Sequence, residues 1–250
     1  MAQHVLRRRP WPGLSGRVRR KLSKPAHRLR AWSRTFLRDE HAPHYRKRVA
    51  EFRHMPARPG CVLLAGDSLT ELLGPLLAHQ THTATGPWAN LLVAERLVEQ
   101  GISGDTTRGL SRRLDQIIRH RPGTVFLLIG TNDLGVRRRP PRAVLEPYRR
   151  ILGTLRGACP RTRIYVQSIL PTSTPRTNRA IAACNARLRQ LAAEMGVSYI
   201  DLWPVMADPA GLMRRTYTPD GLHLTVQGQH AWQEALASYL PASVARAEHE

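Results

Sequence analysis

The apolar run Cys61-Val62-Leu63-Leu64-Ala65 stops abruptly at Gly66-Asp67-Ser68, and Leu69, Leu72, Leu73, Leu76 and Leu77 then recur at helical spacing. A short continuous apolar run is what a strand covered on both faces requires, whereas leucines three and four residues apart make one stripe of a helix. Strand, tight turn and helix in that order set Ser68 at the carboxyl edge of a sheet, beside a helix N-terminus. There, unpaired backbone N–H groups favour a developing negative charge. The tripeptide alone has two readings. Gly, Asp and Ser are ordinary turn and N-cap residues, and they are equally what brings a serine onto an exposed turn.

From residue 59 the chain alternates between strand-like and helix-like segments, the pattern of a parallel sheet with helices on both faces. Beyond 61–66, strands are predicted near 96–101, at 124–130, at 163–170 and at 197–202. Between them, Leu110, Leu114, Ile117 and Ile118 mark one apolar helix face. Leu145, Tyr148, Ile151, Leu152 and Leu155 mark a second, and Ile181, Cys184, Leu188 and Leu191 a third. A last helix over about 225–240 carries Trp232, Leu236 and Leu240, and a short one over 42–52 leads into the domain with Val49 and Phe52 facing the core. With 250 residues, 42% of them hydrophobic, the chain suffices for one α/β domain and an appendage.

The appendage is the basic N-terminal arm of residues 1–40. Residues 1–38 hold twelve Arg or Lys and no Asp or Glu, so of the net charge of +21 only +9 belongs to the remainder. Pro10, Pro12, Gly13 and Gly16 make its first part flexible, whereas Val18, Leu22, Ala26, Leu29, Trp32 and Phe36 recur at helical spacing among basic residues. Two readings stand side by side: contact with an anionic membrane, another polyanion or an acidic partner, or an organelle-targeting segment, on one side, and a solvated arm whose few apolar residues pack on the domain on the other. Only three of the 39 basic residues are Lys, which weakens the case for dedicated phosphate recognition. Cys61, Cys159 and Cys184 form no CxxC pair and no even set, which speaks against a disulfide scaffold and for a reducing compartment. No stretch reaches the roughly 20 apolar residues of a membrane span, and the N-terminus lacks the apolar core of a secretory signal. The expectation is a cytoplasmic protein, with peripheral membrane contact through the arm as its variant.

Three strands end in polar residues that a buried run does not need. Besides Ser68 there are Gly101-Ile102-Ser103-Gly104-Asp105-Thr106-Thr107 and Gly130-Thr131-Asn132-Asp133, both leaving the same predicted sheet edge. Near the C-terminus, Asp220-Gly221-Leu222-His223 puts an acid and a histidine three residues apart on a turn before a helix. A carboxylate so placed can orient one ring nitrogen while the other faces a nucleophile. Each piece also fits an ordinary turn. Their conjunction on successive loops of one face is what points to a site.

These four stretches, in this order and spanning about residues 59–240, resemble the blocks of the SGNH hydrolases, or GDSL-type esterase/lipase superfamily. The loops are most similar to the platelet-activating-factor acetylhydrolase-like branch. One departure is Glu99-Gln100 before Gly101, where the family pattern has Asn followed by a variable residue, so a different hold on the end of the second strand is expected. The resemblance implies a three-layer α/β/α sandwich, flavodoxin-like, of about five parallel strands over residues 41–245. It implies Ser68 as nucleophile, His223 as general base and Asp220 as its orienting acid. It further implies an oxyanion hole of Ser68 and Gly104 backbone N–H groups and the Asn132 side chain, with Asp67 and Asp133 bracing their loops. No metal or other cofactor is expected. The activity implied is hydrolysis of a small-molecule carboxylic ester, with short connections favouring small acyl groups. Acyl transfer to a sugar or alcohol by the same residues is the alternative, as is a non-catalytic adaptor that binds through its basic arm.

Overall fold

The computed structural model describes residues 43–73, 88, 90, 91, 94 and 96–241. The arm of residues 1–40 and the predicted helical positions Leu76 and Leu77 lie outside them. Among the described residues five strands form one parallel sheet: β1 (Val62–Gly66), β2 (Leu97–Gly101), β3 (Thr124–Leu128), β4 (Arg163–Gln167) and β5 (Ser198–Ile200). Their spatial order is β2-β1-β3-β4-β5. This is the doubly wound flavodoxin-like order, and its switch point lies where β1 is flanked by β2 and β3.

Every residue of β1 and β3 is buried, as strands covered on both faces must be. Alternation along β1 divides the core in two. Cys61, Leu63 and Ala65 pack with the inner faces of α5 (Arg142–Ala158) and α6 (Pro175–Glu194), whereas Val62 and Leu64 face the other layer with Leu69, Leu73, Met206, Trp232 and Leu236. The second layer is built from the helical residues 68–73, here α2, with α7 (Trp203–Met206) and α8 (Val226–Ala237). The fold is thus the expected three-layer α/β/α sandwich.

Helix α1 (Pro43–His54) lies beside β2, and its orientation differs from the predicted one. Phe52 is completely buried, but the other inward residue is Arg48 rather than Val49, which stays half-buried. The predicted 107–118 helix is two short ones, α3 (Thr107–Arg112) and α4 (Leu114–Ile118), separated at Arg113, whose side chain turns inward. Strand β4 also stops earlier than its apolar run. The amide of Asn185 accepts the N–H of Ile169 at 2.9 Å and donates to its carbonyl at 2.9 Å, so a side chain replaces the next rung of the ladder.

Candidate active site

The register pairs Gly66 with Gly101 on β2 and with Leu128 on β3, so the three loops that follow leave the sheet side by side. On the first, Asp67 caps α2: its Oδ1 accepts the N–H of Leu69 at 3.0 Å. Ser68 is therefore the first residue of that helix and is only 5% exposed.

The second loop is a tight turn in which Asp105 N–H donates to Ile102 C=O at 3.0 Å. Gly104 is its third residue at φ +82°, the positive value that a type II turn requires there. The turn is tied to β1 by a bond of 3.2 Å from Ile102 N–H to Gly66 C=O. The third loop opens into a π-helical turn, Asn132–Val136. Asn132 Nδ2 donates to Asp105 C=O at 2.9 Å, and Asp133 Oδ2 accepts Thr107 N–H at 2.9 Å. Asp67 and Asp133 therefore both hold loop backbone, as expected. Asn132 is brought against the loop that carries Gly104.

The C-terminal segment closes the group. His223 Nε2 lies 3.1 Å from Ser68 Oγ, and His223 Nδ1 lies 2.7 Å from Asp220 Oδ2. The other Asp220 oxygen accepts the backbone N–H groups of His223 at 2.8 Å and Leu222 at 3.0 Å. A carboxylate accepts the proton of Nδ1, which leaves the lone pair of Nε2 toward the serine hydroxyl. Burial works to raise the Asp220 pKa, but the bond to His223 and the two amide donors outweigh it and hold the carboxyl below its ordinary value.

Beneath these groups lies a buried acidic layer. Burial pushes Asp67 up to about 7, with Asp105 and Asp133 adding to the shift and the Leu69 N–H opposing it. Asp105 is raised to about 6 by burial against the pull of Arg113, whose Nε is 2.9 Å from Asp105 Oδ2. The same guanidinium donates to Gly66 C=O and Gln100 C=O, each at 3.1 Å, and so joins the ends of β1 and β2. Nothing in the sequence singles out Arg113, whose spacing is that of any surface arginine. His120 is buried, with Arg58 N–H donating to Nδ1 at 3.1 Å. Among the described residues no three His, Cys, Asp or Glu side chains group so as to hold a metal ion.

Residues 64–231, about two-thirds of the chain, match the sequence model of the GDSL-like lipase/acylhydrolase family. The chain belongs to that family. It is accordingly a serine ester hydrolase, and the matched region contains the Ser68, Gly104, Asn132, Asp220 and His223 loops. Solved structures similar to this GDSL-family hydrolase include one described as a platelet activating factor from Streptococcus pneumonia. It is 27% identical with a TM-score of 0.68, covering 87% of this chain and 100% of its own. A GDSL-like lipase from Bacteroides thetaiotaomicron is 18% identical with a TM-score of 0.62, over 78% of this chain and 98% of its own. A carbohydrate esterase family 3 protein from Talaromyces cellulolyticus is 21% identical with a TM-score of 0.58, over 74% and 98%. The last two share the fold. No curated protein matches the hydrolase. Among its described residues, no helix is long and apolar enough to cross a membrane.

Proposed function

We propose that this family member cleaves carboxylic esters of small acyl groups with Ser68 as nucleophile, His223 as general base and Asp220 as the carboxylate that orients it. The observation that carries this reading is the continuous chain of contacts, 3.1 Å from Ser68 Oγ to His223 Nε2 and 2.7 Å from His223 Nδ1 to Asp220 Oδ2. Ser68 Oγ attacks the ester carbonyl carbon while its proton passes to Nε2. The tetrahedral intermediate then expels the alkoxide, which takes that proton and leaves as the alcohol. Water attacks the resulting acyl-enzyme by the same route, releasing the acid and restoring the Ser68 hydroxyl.

The oxyanion is received by the backbone N–H groups of Ser68 and Gly104 and by Asn132 Nδ2. An amide has two N–H donors. The one given to Asp105 C=O fixes the plane of the Asn132 side chain, and the other serves the oxyanion. Each such donor is worth about 3–4 kcal/mol of transition-state stabilisation. Small acyl groups are favoured by the short connections after β1 and β4, of one and seven residues before α2 and α6.

Hydrolysis of p-nitrophenyl acetate, butyrate and octanoate tests the reading. The rate is expected to fall with chain length; a preference for octanoate contradicts the small-acyl part. With an added sugar or alcohol acceptor, free acid is the expected product, and a new ester in its place indicates acyl transfer. The arm of residues 1–38 is proposed to contact anionic membrane or another polyanion. Its deletion is expected to abolish binding to anionic vesicles and leave esterase activity intact, and retained vesicle binding contradicts that role.

A further inference from the structure

Arg48 is an arginine in a basic stretch, yet it is 5% exposed and meets three carboxylates: Glu99 Oε2 at 2.8 Å, Glu51 Oε2 at 3.0 Å and Glu71 Oε1 at 3.4 Å. Its Nη2 also donates to Gly101 C=O at 3.1 Å. Two of those carboxylates hold the backbone of the loop that carries Gly104. Glu71 Oε2 accepts the N–H of Ser103 at 2.6 Å, and Glu99 Oε1 accepts the N–H of Gly101. Glu71 lies on α2, one turn beyond Ser68, and His44 Nε2 approaches it from α1 at 3.0 Å. There is no slack at this seat. A Cβ on Gly101 would fall 2.3 Å from Glu71 N and 2.7 Å from Asp67 O.

We propose that Arg48 is a positioning residue for the oxyanion loop, acting through Glu71, Glu99 and the Gly101 carbonyl to hold Ser103 and Gly104 against the helix that begins at Ser68. The proposal rests on the role given above to Gly104. Two buried carboxylates that both accept backbone N–H groups do so most strongly when ionised, and in that state they repel each other. A guanidinium between them offsets that repulsion and adds directed donors, which a compact ammonium supplies less well. Removing Arg48 takes away the cation between the two acids and the donor to Gly101 C=O, so both carboxylates and the loop they hold lose their common anchor. Arg48 also accounts for the departure at Glu99: the acid that stands in place of the family's Asn is matched by a cation from α1. That helix lies before the family match, which begins at residue 64. Part of the support of the oxyanion loop therefore comes from residues ahead of the matched segment.

Arg48→Met and Arg48→Lys, assayed in the full chain with p-nitrophenyl acetate and with a trifluoromethyl ketone, test this. A misplaced donor costs transition-state and not ground-state binding. The expected result for Arg48→Met is a fall in kcat of about 10- to 100-fold, a KM within about twofold of the parent value and a matching loss of trifluoromethyl ketone affinity. A parent kcat, or a loss that only tracks the folded fraction measured by circular dichroism, overturns the proposal. Should Arg48→Met not fold, Arg48→Lys decides. Its ammonium keeps the charge without the fork that spans both acids and Gly101, so a selective loss in kcat supports positioning and a parent kcat overturns it. Failure of the underlying catalytic reading is separate, since the parent protein would then lack Ser68-dependent hydrolysis altogether.

Discussion

Ser68 Oγ and His223 Nε2 meet at 3.1 Å although 155 residues separate them in the chain. The sheet closes that distance: Ser68 follows β1, and the turn carrying His223 lies between β5 and α8, on the same carboxyl edge. Four loops thus reach one place because parallel strands all end on one side.

Asp220 holds the histidine by its Nδ1 and through the backbone as well. Asp220→Asn is expected to lower kcat by about 10³- to 10⁴-fold with the fold retained, because an amide neither fixes the tautomer nor stabilises the imidazolium. Steady-state kinetics beside a thermal melt checks this. The lowered Asp220 pKa also sets a sign. Its contribution to stability is complete above the unfolded-state value of about 4 and is lost as pH falls through the lower folded value.

Asn132→Ala removes one neutral donor. A fall in kcat of about 10²- to 10³-fold with KM little changed is expected, since the interaction is made in the transition state. An effect confined to KM contradicts the oxyanion role.

Asp67 has the opposite sign. Burial raises its folded pKa to about 7, so the folded protein binds the extra proton between pH 4 and 7. The stability linked to this group is greatest below its unfolded value and is lost as pH rises through about 7. Asp67→Asn keeps an acceptor for Leu69 N–H and carries no charge, so it is expected to raise Tm more at pH 8 than at pH 5. An equal shift at both values contradicts the assignment.

Gly221 has φ +87°, and a Cβ there would lie 2.8 Å from Ser173 Cβ. Gly221→Ala is expected to cost about 1–3 kcal/mol in a denaturant titration and to lower kcat by displacing the Asp220 to His223 turn. Unchanged stability shows that the turn relaxes freely.

The sheet and the site were legible in the sequence for the same reason. Val62 to Ala65 and Val125 to Leu128 are continuous apolar runs of strand length, as buried strands require, and Ser68, Gly104, Asn132, Asp220 and His223 interrupt that logic at strand ends or on a turn before a helix. What stayed hidden depends on partners remote in sequence. Arg48 reads as a solvated residue because the acids that bury it, Glu71 and Glu99, lie 23 and 51 positions further on. The end of β4 reads as a continuing strand because Asn185, which satisfies Ile169, is 16 residues away. Glu99 announced itself as a departure, but its cation could not be named from spacing.

Labelling with an active-serine fluorophosphonate alongside p-nitrophenyl acetate hydrolysis tests the role of Ser68 as nucleophile. Stoichiometric labelling and hydrolysis are expected in the parent protein, with both abolished in a folded Ser68→Ala variant. A Ser68→Ala protein that still hydrolyses the ester and still takes the label at another residue contradicts it.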